Sequence, residues 1–259
     1  MDPTQVFPAT ALAVAGCMGA LWLLSLALRN ASIVDIFWGL GFVAIAAISL
    51  LQAPADGSPR RCLLVAMVLL WGLRLAGHLL WRNAGTGEDP RYRAMRRHWG
   101  ARFWWLSLFT VFALQGVLMW IVSLPVQLGI LAPGGSLGAL DALGVLLFAL
   151  GMFFETIGDW QLARFRADPA NAGRVMDRGL WRFTRHPNYF GDVCVWWGIF
   201  AVALSTPYGP WTLVGPALMT FLLLRVSGVP MLERSIGKRR PDYARYAERT
   251  SAFFPRRPT

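Results

Sequence analysis

Ile33-Val34-Asp35-Ile36-Phe37-Trp38-Gly39-Leu40-Gly41-Phe42-Val43-Ala44-Ile45-Ala46-Ala47-Ile48-Ser49-Leu50-Leu51 contains a single charged residue, Asp35. About 20 mostly apolar residues in helical form cross the hydrocarbon core of a bilayer. This run therefore reads as a transmembrane helix, and six more segments read the same way. The expected spans are Phe7–Leu28, Ile33–Leu51, Cys62–Leu80, Phe103–Leu124, Leu137–Ile157, Tyr189–Leu204 and Trp211–Pro230. The sixth is short, and Pro187 suits its first turn. No basic n-region or A-x-A site marks the N-terminus, so the first apolar run is expected to be a retained helix.

Composition agrees with an all-α polytopic membrane protein. The chain is 56% hydrophobic and 15% charged, against about 25% charged in soluble domains. A net charge of +11 in a soluble protein would point to nucleic acid. Here the basic residues lie between apolar segments, so no nucleic-acid partner is expected. Cys17, Cys62 and Cys194 are scattered, with no CxxC. They read as small packing residues, with no disulfide framework and no metal site.

Basic residues gather on alternate connections. Arg82, Arg91, Arg93, Arg96, Arg97 and Arg102 follow the third span. Arg164, Arg166, Arg174, Arg178, Arg182 and Arg185 follow the fifth, and eight more basic residues follow Pro230. The connections Pro125–Ser136 and Ser205–Pro210 have none, and only Arg60 and Arg61 break the pattern. The excess of Lys and Arg marks the cytoplasmic side. An outer N-terminus and a cytoplasmic C-terminus are expected, with the 84–99 stretch a cytoplasmic loop.

Ionisable groups at membrane depth are expensive and mark function. Asp35 near the start of its helix reads either as a first-turn acid favoured by the helix dipole or as a proton donor facing an apolar pocket. Arg74, His78 and Arg82 share one face of the third helix at i, i+4, i+8 spacing, and Arg74 is a plausible partner for Asp35. Glu155 and Asp159 place two acids one turn apart at a helix C-terminal end, against local electrostatic preference. Such a pair either binds donors or is neutralised by Arg164 and Arg166. In Arg185-His186-Pro187-Asn188-Tyr189-Phe190-Gly191-Asp192, polar groups converge just before a helix N-terminus, an arrangement suited to phosphate.

From Gly151 to Pro255 the chain resembles steroid 5-alpha-reductases. The matching features are Glu155-x-x-x-Asp159, Arg166, Arg174, Gly179-Leu180, Asn188-x-x-Gly191-Asp192, Arg225 and the aromatic tail ending in Pro255. Their bacterial members also share the Asp35…Trp38-Gly39 and Trp71…Arg74 elements. The resemblance implies a seven-helix bundle in a bacterial inner membrane, acting as a monomer. It would use NADPH to saturate the 4,5 double bond of a 3-oxo-4-ene steroid. Residues 1–130 would mainly form the substrate pocket, and residues 131–259 the NADPH site, open to the cytoplasm. Glu155 and Asp159 would contact nicotinamide or ribose, and Arg166 and Arg174 the phosphates, including the 2′-phosphate that distinguishes NADPH. Asn188, Tyr189 and Asp192 would hold the adenosine side, and Arg225 the diphosphate. Arg185, His186 and Tyr246 complete the expected cofactor set. Asp35, Trp38, Arg74 and His78 form the expected catalytic set. The family's acid on the second helix matches Asp35, but its carbonyl-binding tyrosine has no match on the third helix, which offers Trp71 and His78.

Other readings stay open. Arg185-His186-Pro187-x-Tyr189-x-Gly191 also resembles the motif of membrane methyltransferases that act on isoprenylcysteine or phospholipid with S-adenosylmethionine. Those carry adjacent acids after the last helix, where this chain has Glu233 alone. Reduction of another lipid enone, or a non-enzymatic lipid-binding role, are the remaining classes. The expected partners are a steroid or other lipid enone and membrane lipids.

Overall fold

A computed structural model describes residues 3–226, 228–229, 233 and 242–258. The elements are α1 (Pro3–Leu28), α2 (Ile33–Leu51), α3 (Pro59–Asn83), α4 (Pro90–Trp99), α5 (Phe103–Ser107), α6 (Leu114–Val122), α7 (Leu124–Leu131), α8 (Ala139–Ala167), α9 (Pro187–Leu204), α10 (Val214–Phe221) and α11 (Tyr243–Arg249). A π turn, Leu108–Ala113, joins α5 to α6, and a second, Leu222–Val226, follows α10. Among the described residues there is no strand.

Among the described residues six stretches, not the expected seven, are long and apolar enough to cross a membrane. They are Val6–Leu28, Ile33–Leu51, Pro59–Asn83, Pro90–Val122, Ala139–Ala167 and Gly209–Val226. The expected sixth span folds as α9, which has 18 residues. Pro187, Asn188 and Asp192 in its first two turns lower its apolarity. An outer N-terminus with a cytoplasmic C-terminus requires an odd number of crossings, so six do not yield that pair. The expected end of the last span, Pro230, lies outside the described residues. The 84–99 stretch is no plain loop either. Asp89 caps α4, accepting from Arg91 N, and Pro90 fills the first turn, as a helix start favours. Pro125–Ser136, expected as a connection, contains α7, whose residues Pro125 to Leu131 are buried.

The chain divides into two compact units. The first covers residues 1–138 and 202–214. Within it α2 and α3 meet backbone to backbone: a Cβ on Gly39 would lie 2.4 Å from the Gly72 carbonyl oxygen. Small residues allow such close approach where no hydrophobic drive joins helices in lipid. Trp38, Phe42 and Trp71 continue the contact edge to face, each successive pair 5.4 Å apart. Thr10 Oγ1 donates to buried Gln127 Oε1 at 2.7 Å, which ties α1 to α7. Leu23, Leu70 and Leu73 are exposed, as suits side chains turned to lipid.

The second unit covers residues 139–201 and 215–259. Here α8 and α9 pack through two glycine contacts. A Cβ on Gly191 would sit 2.6 Å from Gly151 O, and one on Gly198 the same distance from Gly144 O. The helix α8 runs ten residues beyond the expected end at Ile157, because Asp159, Gln161, Arg164 and Arg166 continue as a helix outside the apolar stretch.

Candidate functional site

In the first unit the site grows from the N-terminal end of α2. Tyr92 Oη donates to Asp35 Oδ1 at 2.6 Å, and Arg91 donates to Oδ2 at 2.6 Å. Gln115 Nε2 donates in turn to Tyr92 Oη at 3.2 Å. Asp35 is 15% exposed and Tyr92 is buried. The carboxylate thus meets Arg91 and Tyr92 of α4, where the sequence had suggested Arg74 of α3. With Arg91 paired to the carboxylate, Tyr92 carries the hydrogen of this contact, and a phenol O–H held in place by a carboxylate can turn to donate to a carbonyl oxygen.

Second contacts hold α4 in place. Asp89 N donates to Ser32 Oγ at 2.6 Å, and Ala31 N donates to Glu88 Oε1 at 2.8 Å. Arg96 grips both Glu88 oxygens at 2.8 and 3.1 Å and lies over the Phe103 ring. Burial pushes the Glu88 carboxyl up, but Arg96 and the Ala31 amide outweigh it and hold the group below its ordinary value. Asp89 is held low in the same way, with Arg91 opposing burial. Trp38 lies one turn beyond Asp35, and Arg74 and His78 are half-buried on α3.

Sequence reading missed Arg91, Tyr92 and Gln115 as site residues. The Asp89-Pro90 helix start was a readable signal that 84–99 is ordered. Nothing local told that the helix docks on a residue 57 positions earlier.

In the second unit Glu155 is buried at the α8–α9 contact. A Cβ on Gly191 would come within 2.8 Å of Glu155 Cγ, so this glycine serves helix approach. Asn188 Nδ2 donates to Asp159 Oδ1 at 3.3 Å. Glu155, Asp159, Asn188 and Gly191 are therefore brought together, and Asp192 follows one position beyond Gly191. His186 is buried, with Nε2 3.1 Å from Glu233 Oε1 and its ring stacked on Tyr189 at 5.4 Å. Arg185 donates to Glu233 at 2.8 Å and to the Ala247 and Thr250 carbonyls at 2.7 and 2.9 Å. The His186 contact first, then Arg185, holds the Glu233 carboxyl below its ordinary value of 4.5. Tyr246 is buried and donates to Trp181 O. Burial pushes its phenol up.

A cavity of about 640 Å³ in this unit is lined by Asp177, Arg178, Gly179, Arg182, Arg249, Thr250 and Pro258. Its arginines differ from those named by sequence. Arg166, Arg174 and Arg225 are exposed and do not line it.

Residues 21–250 match the model of a family described as "Protein of unknown function (DUF1295)". No curated protein and no solved structure matches the chain. The match covers most of the chain, which belongs to this family.

Proposed function

We propose that this chain is an NADPH-dependent membrane reductase of the steroid 5-alpha-reductase type, acting on a 3-oxo-4-ene steroid or a similar lipid enone. The supporting observation is the Tyr92–Asp35 hydrogen bond at 2.6 Å. The resemblance asks for an acid and a tyrosine at the substrate carbonyl, and the third helix has no such tyrosine. Tyr92 of α4 fills that role on Asp35. The arginine-lined cavity of the second unit supports the cofactor half, because guanidinium groups match phosphate geometry. NADPH, when bound, supplies hydride.

The protein's own part is to polarise and orient. A carbonyl oxygen that reaches the Asp35–Tyr92 pair accepts a hydrogen bond, which draws electron density from the conjugated double bond and makes the β carbon electrophilic. Negative charge that develops on the oxygen is stabilised by the same donor, worth about 3–4 kcal/mol by analogy with oxyanion holes. A proton then adds at the α carbon, so the product gains two hydrogens. The reading also puts the protein in a bacterial inner membrane as a monomer, with the basic loops and cofactor side in the cytoplasm and substrate arriving from the bilayer.

Purified protein in detergent, given NADPH with progesterone or testosterone, should oxidise the cofactor and add two hydrogens to the steroid. NADPH that binds without any enone being reduced would sink the reaction. A second reading is a methyltransferase, favoured by Glu233 meeting both Arg185 and His186 of the Arg-His-Pro run. Transfer of a labelled methyl group from S-adenosylmethionine to lipid would establish it instead.

A further inference from the structure

The cavity of about 640 Å³ in the second unit has two walls. One is the turn before α9. Gly179 takes φ +58°, and a Cβ there would strike the Gln161 side chain at 2.5 Å. Gln161 Oε1 also accepts from Leu180 N at 2.9 Å. A left-handed, crowded position needs glycine, and the turn it makes carries Arg178 and Arg182 on either side. The other wall is α11. Tyr246 Oη pins it to Trp181 O, and Arg185 caps its last carbonyls at Ala247 and Thr250. Arg249 is thereby fixed at the rim, paired with Asp177 at 2.6 Å.

The charges divide by role. Arg185 is fully engaged in holding the fold. Arg178 and Arg182 have no side-chain partner among the described residues, and Arg249 has one carboxylate. Three arginines against one aspartate leave an excess of positive charge. The volume falls in the range of small-molecule sites, roughly 300–1,000 Å³, and exceeds the need of a lone phosphate. Among the described lining residues Pro258 is the one apolar side chain, so the lining suits a polar, charged ligand more than an acyl chain.

We propose that this cavity binds a soluble phosphorylated nucleotide, and that Arg178, Arg182 and Arg249 recognise the 2′-phosphorylated adenosine end of the cofactor. The assignment to that cofactor rests on the reductase reading. The arginines that separate NADPH from NADH are then these three, rather than Arg166 and Arg174.

The test is calorimetry on the detergent-solubilised full chain with adenosine 2′,5′-bisphosphate, against adenosine 5′-monophosphate. The bisphosphate should bind more tightly. Arg178→Ala and Arg182→Ala should each weaken it about ten- to a hundredfold, as expected for losing a charged hydrogen bond, with the melting temperature unchanged. Asp177→Asn releases Arg249 and should tighten binding, a gain that a merely structural role would not give. Equal affinity for the two nucleotides, or arginine variants that bind like the wild type, overturns the proposal. So does displacement of the bisphosphate by phosphatidylglycerol in the micelle. Arginine-dependent bisphosphate binding without reduction of any enone would leave the site standing and remove the reductase. Reduction that keeps its NADPH preference in both variants would do the reverse.

Discussion

At the scale of single residues, Asp35 was legible and its partners were not. A lone carboxylate in an apolar run stands out because its burial must be compensated. Tyr92 and Arg91 compensate it across 57 and 56 positions, and no periodicity encodes so distant a pairing. The pair gives a direct test of the site. Tyr92→Phe keeps the ring and removes the donor, and should lower kcat about a hundred- to a thousandfold, as loss of an oxyanion donor does. Asp35→Asn should cut turnover far more than it weakens NADPH binding. Steady-state kinetics beside cofactor titration separates the two. Equal loss of both would make Asp35 part of the fold alone.

At the scale of elements, the apolar runs set the helices but not their contacts. The bounds of α2 came out as expected, because its apolar run ends where the helix does. The continuation of α8 past Ile157 was missed, since hydropathy ends at the membrane while helical hydrogen bonding does not. Glycine is ambiguous in sequence for a related reason: a residue without a Cβ admits either a ligand or a helix, and at Gly191 the contacts with Gly151 and Glu155 decide for the helix. The same contacts predict a contrast within α3. Gly72→Ala would meet Gly39 O at 2.6 Å, whereas nothing lies within 4 Å of a Cβ on Gly77. Overpacking typically costs about 1–3 kcal/mol, so Gly72→Ala should melt lower in detergent and Gly77→Ala should not. Equal melting of the two would deny the backbone contact.

The tail-holding contacts depend on pH with a definite sign. Glu233 is held below 4.5 by His186 and Arg185, so its folded form binds protons less readily than its unfolded form. Such a group stabilises above the unfolded value and loses that contribution as pH falls through the lowered folded value. Wild-type protein should therefore outlast Glu233→Gln at pH 7 by about 1–2 kcal/mol, the order of a charged hydrogen bond. The gap should close in acid below 4.5. Thermal melts of both proteins at the two pH values measure it, and a gap that widens in acid would contradict the assignment.

At the scale of the whole molecule, Arg60 and Arg61 break the alternation of basic connections, and the fold accounts for both. Arg61 donates to Ile130 O at 2.7 Å and Ala132 O at 3.2 Å, and pairs with Asp56 at 2.6 Å. Arg60 donates to Ser136 O at 2.7 Å. The Arg61 hydrogen bond, ahead of opposing burial, holds the Asp56 carboxyl below its ordinary value. Both arginines are buried and spent on connections, so they are not the free surface charges that the orientation rule counts. The arginines of α4 remain as the strong signal. Since α3 joins the 52–58 connection to the 84–89 connection and is itself long and apolar enough to cross, we predict that the two lie on opposite sides of the membrane, with 84–89 on the cytoplasmic side by its arginines. Single cysteines at Ala55 and at Thr86, in a background with Cys17, Cys62 and Cys194 replaced, make this visible. An impermeant maleimide added to intact cells should label the first and spare the second, and in inverted vesicles the pattern should reverse. Labelling of both positions from one side would mean that α3 does not cross.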